Sequence, residues 1–455
     1  MPDKWIHAAF GKGLRKQVAA DHLLYRLISL GSHKVFTACT YSSLLWLTRN
    51  PNSAIRYARI DPRKEETVDL DHELRSLSDN RFTKIGYSGL SEKPWILTGG
   101  KSNQVMARIL DLPRRLGSCL HIFVGLQTSK DSVYFLRDAK EAGQLVDAFS
   151  PELGTRVEIE RTLVKPLLLG DQVHRYEELM SSNMVVFPYE VPEGGNKPKL
   201  MSPASIQRRF PKGWAYLKAC ETMLRSREGG RFDNEEWYQF GRKQGIGHGS
   251  EPKLLAPDIS LGGNFTFDRE GAFYTTTTLY GYIKKPQVWE RYEYWMALLN
   301  STVLWFYLKN SGAVLANGYY RYKPAYLKDF PIPQCSEDQE KVVVRLTSYV
   351  QFAKANSERN DRSDAIIAFL EKLIDGCILE VYFPEHMTEN KLDLICPTAS
   401  VALPLPEPDT AESRWAQLNS FFDQVNHPKH EIRNRLMRMT IDSPDFLGVI
   451  LEAKA

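Results

Sequence analysis

Leu120-His121-Ile122-Phe123-Val124-Gly125-Leu126 is a seven-residue run, and Val133-Tyr134-Phe135-Leu136 resumes after six polar residues. Apolar and aromatic runs of this length, bounded by turn-forming residues, have the span of strands and are too short for helices. Outward from this pair, similar runs occur at Met184–Tyr189, Lys253–Ile259 and Phe265–Phe267, each split from the next by Gly, Pro or Asn. Two stretches with helical period interrupt them, Ala215–Arg227 and Glu290–Lys309. Residues 105–335 are therefore predicted to form a β-rich α+β domain.

The flanks read differently. In residues 1–60, a helical stretch (Leu14–Leu24) precedes two short apolar runs, Leu27–Leu30 and Ser43–Leu47, parted by the turn-prone Gly31-Ser32-His33. That suits the last strands of a doubly wound α/β sheet, with too few βα units for a whole one. Residues 61–104 are charged and loop-rich, and read as a linker or insert. Residues 336–390 carry Val343, Leu346, Val350, Ile366, Leu370, Leu373 and Ile374 at helical spacing, predicting a helical hairpin. Residues 391–410 are Pro-rich and predict an extended linker, and 411–455 predict one or two small helices. The fold class is thus α+β: a partial α/β edge, a β-rich α+β domain and a helical C-terminal part.

Composition narrows the class. The 455 residues are 43% hydrophobic, which supports packed cores, and the formal net charge is +4. Twelve Lys/Arg and six Asp/Glu lie between Lys197 and Lys253, so this segment carries +6 and the rest of the chain −2. A positive segment of this kind suits phosphate contacts. The six cysteines lie far apart with no CxxC pair, as expected of reduced, structural thiols in a cytoplasmic protein. No stretch approaches about 18 apolar residues, so no membrane partner is expected. Gly229-Gly230 and Gly262-Gly263 lack the spacing and following helix of a nucleotide-binding turn. Glu251, Lys253 and Asp258 stand in the wrong order for a metal-dependent nuclease.

A series of short segments resembles one family in order. Gly125-Leu126-Gln127-Thr128-Ser129-Lys130-Asp131-Ser132-Val133-Tyr134 is similar to the opening of target-recognition domains in type IIG restriction–modification enzymes. Lys165-Pro166-Leu167-Leu168 with Gly170, Arg175-Tyr176, Phe187-Pro188-Tyr189, Trp237-Tyr238 with Gly241-Arg242, and Pro257-Asp258-Ile259-Ser260 follow in the family's order. Leu298-Leu299-Asn300-Ser301, Gly318-Tyr319-Tyr320-Arg321-Tyr322 and Pro331-Ile332-Pro333 resemble the close of the TaqI-like C-terminal specificity domain. Gly13-Leu14-Arg15-Lys16 resembles the helix after the catalytic motif of adenine methyltransferases. Val35–Leu44 resembles their later segment, with Phe36 at the place of the aromatic that stacks on a flipped adenine. A base drawn out of the duplex loses its stacking and gains from an aromatic face; the other reading of Phe36 is an ordinary core residue between strands.

The resemblance implies an adenine-specific methyltransferase, yet the glycine-rich cofactor turn and the Asn/Asp-Pro-Pro-aromatic motif are not in this sequence; Asn50-Pro51-Asn52 is the nearest string. No cofactor is therefore expected in this chain, S-adenosylmethionine being expected only with a catalytic partner chain, and catalysis by this chain alone is not expected. The expected function is sequence-specific recognition of double-stranded DNA, with a non-catalytic scaffold or partner-binding subunit of a defence complex as the alternative. The expected DNA contacts are Lys212, Trp237, Tyr238, Arg242, Lys243, His248, Tyr319, Tyr320, Arg321 and Lys323, where cations alternate with aromatics beside glycines. The tyrosines and arginines have an alternative as cover of a sheet edge, His248 as a disordered turn, and Arg321 also as a pairing with a carboxylate such as Asp329.

Overall fold

The computed structural model describes the chain except residues 32, 34, 37–40, 61–69, 89, 98–100, 193–197, 312–317, 406–409 and 454–455. At the N-terminus the helix Lys12–Asp21 precedes a four-stranded sheet. Strand Leu24–Ser29 lies between Ser43–Leu47, antiparallel to it, and Ala54–Arg59, parallel to it. Thr83–Gly86 adds an antiparallel strand beyond Ala54–Arg59. Trp5 and Trp95 meet edge to face at 5.3 Å over Leu24, Leu27 and Ile55. The 61–104 stretch therefore contributes a strand and part of this core. Its apolar residues Ile85, Tyr87, Trp95 and Leu97 are dispersed among charges, so they form no run.

The middle of the chain builds two sheets. One has six strands in the order Tyr274–Thr275, Val164–Leu168, Met184–Val186, Phe135–Ala142, Leu145–Ser150, Thr155–Glu160. Its core includes Ile159, Leu163, Phe187, Tyr216, Leu217 and Phe240, with helices Pro203–Arg209 and Pro211–Ala219 covering it. The other is antiparallel, in the order Thr266–Asp268, Lys253–Pro257, Leu279–Lys284, Leu120–Val124. It shares a core with helices Tyr292–Asn300 and Thr302–Ser311 and with the C-terminal helices. The predicted helix Glu290–Lys309 is thus two helices. Ser301 is extended (φ −73°, ψ 158°), and the amide of Thr302 donates to Asp375 Oδ1 at 3.0 Å, which caps the second helix from another element. Ala215–Arg227 likewise divides, at Cys220, into Pro211–Ala219 and Glu221–Arg225.

Helices Glu337–Ala355 and Ser363–Tyr382 form the expected antiparallel pair. The expected extended linker at 391–410 is corrected: it contains the helix Ile395–Val401. Leu392, Leu394, Ile395 and Ala402 are buried, and Glu380 accepts from the Leu394 and Ile395 amides at the helix start. Three helices follow, Ala411–Val425, Glu431–Asp442 and Leu447–Leu451. Among the described residues no helix is long and apolar enough to cross a membrane.

Candidate nucleic-acid interface

Strand register brings distant motifs together. Val124 pairs with Tyr280, and Tyr280 pairs with Ala256. Gly125 and Asp258 therefore leave the four-stranded sheet at the same end; their amides donate to Leu279 O and Thr278 O, at 3.2 and 2.8 Å. Strands lie about 4.8 Å apart, so the two turns are separated by about 10 Å. The Gly241–Gly245 loop and the Ile259–Ser260 ribbon border this end, whereas His121 and Lys253 stand at the opposite end of their strands.

Beyond Gly125, the chain meets the loop that begins at Gly241. The amides of Gly241 and Arg242 donate to Thr128 O and Gln127 O, at 3.1 and 3.0 Å. A side chain at Gly241 would collide with Ser129 Oγ, and one at Gly125 with Thr275 and Thr276 carbonyls, so both glycines permit close approach. At this junction the exposed side-chain amides of Gln127 and Gln244 bond each other at 3.0 Å. Beside them Glu228 accepts from Ser129 Oγ (2.6 Å), Arg242 Nη1 (2.9 and 3.2 Å) and Arg231 Nη1 (3.2 Å). The Ser129 hydroxyl first, and then Arg242, hold its carboxyl down to about 2. Lys243 is exposed and has no ion-pair partner among the described residues. Beneath the junction lies the buried Arg227, donating to the carbonyls of Thr128, Leu224, Trp237 and Gln239 at 2.6–2.9 Å.

At the other turn, Ile259-Ser260 pairs with Tyr320-Arg321. Arg321, about a third exposed, reaches Asp258 Oδ2 at 3.3 Å. Its carboxylate partner is thus Asp258, across the two-stranded ribbon, and not Asp329. Tyr319 is partly exposed, whereas Tyr320 is buried edge to face against Trp305 at 5.1 Å. Lys323 is half-buried beside them.

His248 bonds Glu251 Oε1 through Nδ1 at 2.9 Å and lies over the rings of His121 and Phe123, at 5.0 and 4.8 Å. Its loop is ordered from below by Lys253, whose ammonium donates to Gly249 O, Glu251 O and Asp268 Oδ2. Lys253 and Asp258 thus serve different partners, which separates the residues of the nuclease reading.

Several expected contacts are corrected. Trp237 and Tyr238 are 3% and 1% exposed. Trp237 is enclosed by Trp214, Lys218 and Arg225, and the Tyr238 hydroxyl donates to Met201 O at 2.6 Å. Two adjacent large rings gain more from burial than from a solvent-facing edge, and a turn lets both point inward. Tyr320 is corrected for the same reason. Lys212 is paired with Glu158 on the face of the six-stranded sheet, and its amide bonds Glu160 at 2.9 Å. Phe36 is 60% exposed, so it is no core residue. Residues 37–40 of its segment lie outside the described residues. Sequence reasoning missed Gln127, Gln244, Ser129, Arg231 and Glu228. Gln127 and Ser129 stood inside the quoted opening motif, but their partners are about 100 residues away in the chain.

Residues 165–332 match the family described as TaqI-like C-terminal specificity domain. The chain is 25% identical over 359 residues to the type II restriction enzyme and methyltransferase RM.Eco57I of Escherichia coli, covering 75% of this chain and 35% of that protein. It is 22% identical over 415 residues to the type II methyltransferase M.BanIII of Aneurinibacillus aneurinilyticus, covering 82% and 67%. It is 24% identical over 408 residues to M.BstVI of Geobacillus stearothermophilus, covering 86% and 64%. The chain therefore spans about a third of the first relative and about two thirds of the other two. The solved structure of the type IIG restriction endonuclease BpuSI aligns with 85% of this chain and 47% of its own, at 10% identity and a TM-score of 0.35. The motifs at 165–170, 257–260 and 318–332, brought to one sheet end or into its supporting core, fall within the matched range: the chain carries a TaqI-like C-terminal specificity domain, in a sequence similar over most of its length to type II restriction–modification methyltransferases.

Proposed function

We propose that this chain recognises a specific duplex DNA sequence and presents an adenine to a methyltransferase site whose donor-binding residues lie outside it. The observation that carries this reading is the convergence of the Gly125–Ser129 turn, the Gly241–Gly245 loop and the Asp258/Arg321 pair on one end of the four-stranded sheet. Exposed amides, a guanidinium and an unpaired ammonium together supply what base edges and phosphates require. The exposed ring of Phe36 supports a stacking role for a flipped base.

The methyl donor of such a reaction is S-adenosylmethionine, and the residues present do not fit it. Strand Leu24–Ser29 leads to another strand, not through a glycine-rich turn to a helix, and residues 61–69 after Ala54–Arg59 contain no glycine. A catalytic partner is therefore part of the proposal, and no step of the transfer is assigned to this chain.

Two measurements test the reading. With about five phosphates neutralised, log Kd plotted against log salt should change with a slope of about 4.5, since each contact contributes about 0.9. Affinity that is flat between about 50 and 200 mM salt would favour the scaffold reading instead. Arg321→Ala should cost about 1–3 kcal/mol on the preferred site and relax selection at one base pair, whereas Arg242→Ala should weaken all sequences alike and reduce the salt slope by about 1. Competition against single-base variants of the site separates the two. Unchanged sequence preference with a lowered melting temperature would make Arg321 a brace for Asp258.

A further inference from the structure

We propose that Ser129, Arg231 and Arg242 form a phosphodiester subsite that the carboxylate of Glu228 fills in the free protein and vacates when a DNA backbone phosphate arrives. The inference rests on the DNA-recognition reading and adds to it a site and an internal competitor.

Three donors from three chain segments converge on one carboxylate at 2.6–3.2 Å. A hydroxyl and two guanidinium groups around two anionic oxygens make a donor set that a phosphodiester also satisfies. The group that fills it is mounted for exchange. Glu228 has a left-handed backbone (φ 49°, ψ 44°), which L side chains seldom adopt. Gly229 and Gly230 follow at φ 70° and 88°, and a Cβ added at either would meet nothing within 4 Å. Their positive φ accounts for the glycines, and the open space around them leaves the chain room to carry Glu228 away. Its ion pairs are exposed, and such pairs are readily exchanged for another anion. The exposed amides of Gln127 and Gln244 lie on the same two loops, so a phosphate seated here would bring bases to groups able to read them.

The carboxylate lowers affinity by competing, and by adding negative charge where a phosphate must sit. Glu228→Gln should tighten binding of a random-sequence duplex about 3- to 10-fold at low salt. The gain should vanish when Arg231 and Arg242 are both replaced by alanine. Glu228→Gly, at a left-handed position that glycine adopts without strain, gives a second variant in which the carboxylate is gone, and should tighten binding likewise. Unchanged or weaker binding by both variants, or a gain that persists without the two arginines, would overturn the subsite. If the unsubstituted chain binds no duplex at all, the DNA-recognition reading itself falls.

Discussion

Lys253→Met is expected to destabilise the protein by about 3–5 kcal/mol, the range for breaking a buried ion pair by removing one partner. Lys253 and Asp268 are 1% and 2% exposed at the side chain and 2.7 Å apart. Burial pulls the lysine's pKa down, and Asp268 opposes that shift. The ammonium also ties Gly249 O and Glu251 O to the sheet, while Asp268 accepts from the amides of Ala272 and Phe273 at 2.9 and 3.1 Å. Methionine fills the volume and leaves the carboxylate with two amide donors and no counter-charge. Denaturant unfolding should show a lower midpoint at an unchanged slope, and adding Asp268→Asn should recover part of the loss. A change below about 1 kcal/mol would mean that water reaches the pair.

Arg227→Ala should cost about 3 kcal/mol, because four carbonyls lose a charged donor inside the fold. The guanidinium also lies 4.2 Å from the Phe232 ring centroid. Arg227→Lys should recover little, since one ammonium cannot span carbonyls that a planar fork reaches in several directions. Thr128 sits in the turn that carries Gln127 and Ser129, so DNA binding should fall with stability. Near-normal unfolding of the lysine variant would show that charge alone suffices.

Apolar runs located the strands Leu120–Val124, Met184–Val186 and Lys253–Pro257 because a strand largely buried in a core is visible in sequence as a short apolar run. Ordered motifs located the stretch that matches the specificity-domain family. Side-chain direction was not legible. Trp237-Tyr238 beside Arg242 has the composition of a contact surface, but only the tertiary turn decides that both rings point inward. Whether Arg242 and Arg321 are free or paired depends on Glu228 and Asp258, which are near them only once the strands are in register. The Asn300-Ser301 break was hidden for a similar reason: its compensation comes from Phe265 and Asp375, on other elements.

The bond between Arg242 N and Gln127 O closes a neck just outside the four-stranded sheet, so the excursion between these two residues begins and ends at nearly one point. Substitutions or length changes inside the excursion need not shift the path of the strands on either side, as with domains inserted where two chain ends lie close. Further tethers limit this freedom: Leu168 and Val173 pack with Leu255 and Leu279, Val164–Leu168 pairs with Tyr274–Thr275, and the Tyr176 amide donates to Phe265 O at 3.1 Å. Inheritance can thus vary the excursion as a cassette, altering what the neck presents while the strands that carry it stay the same.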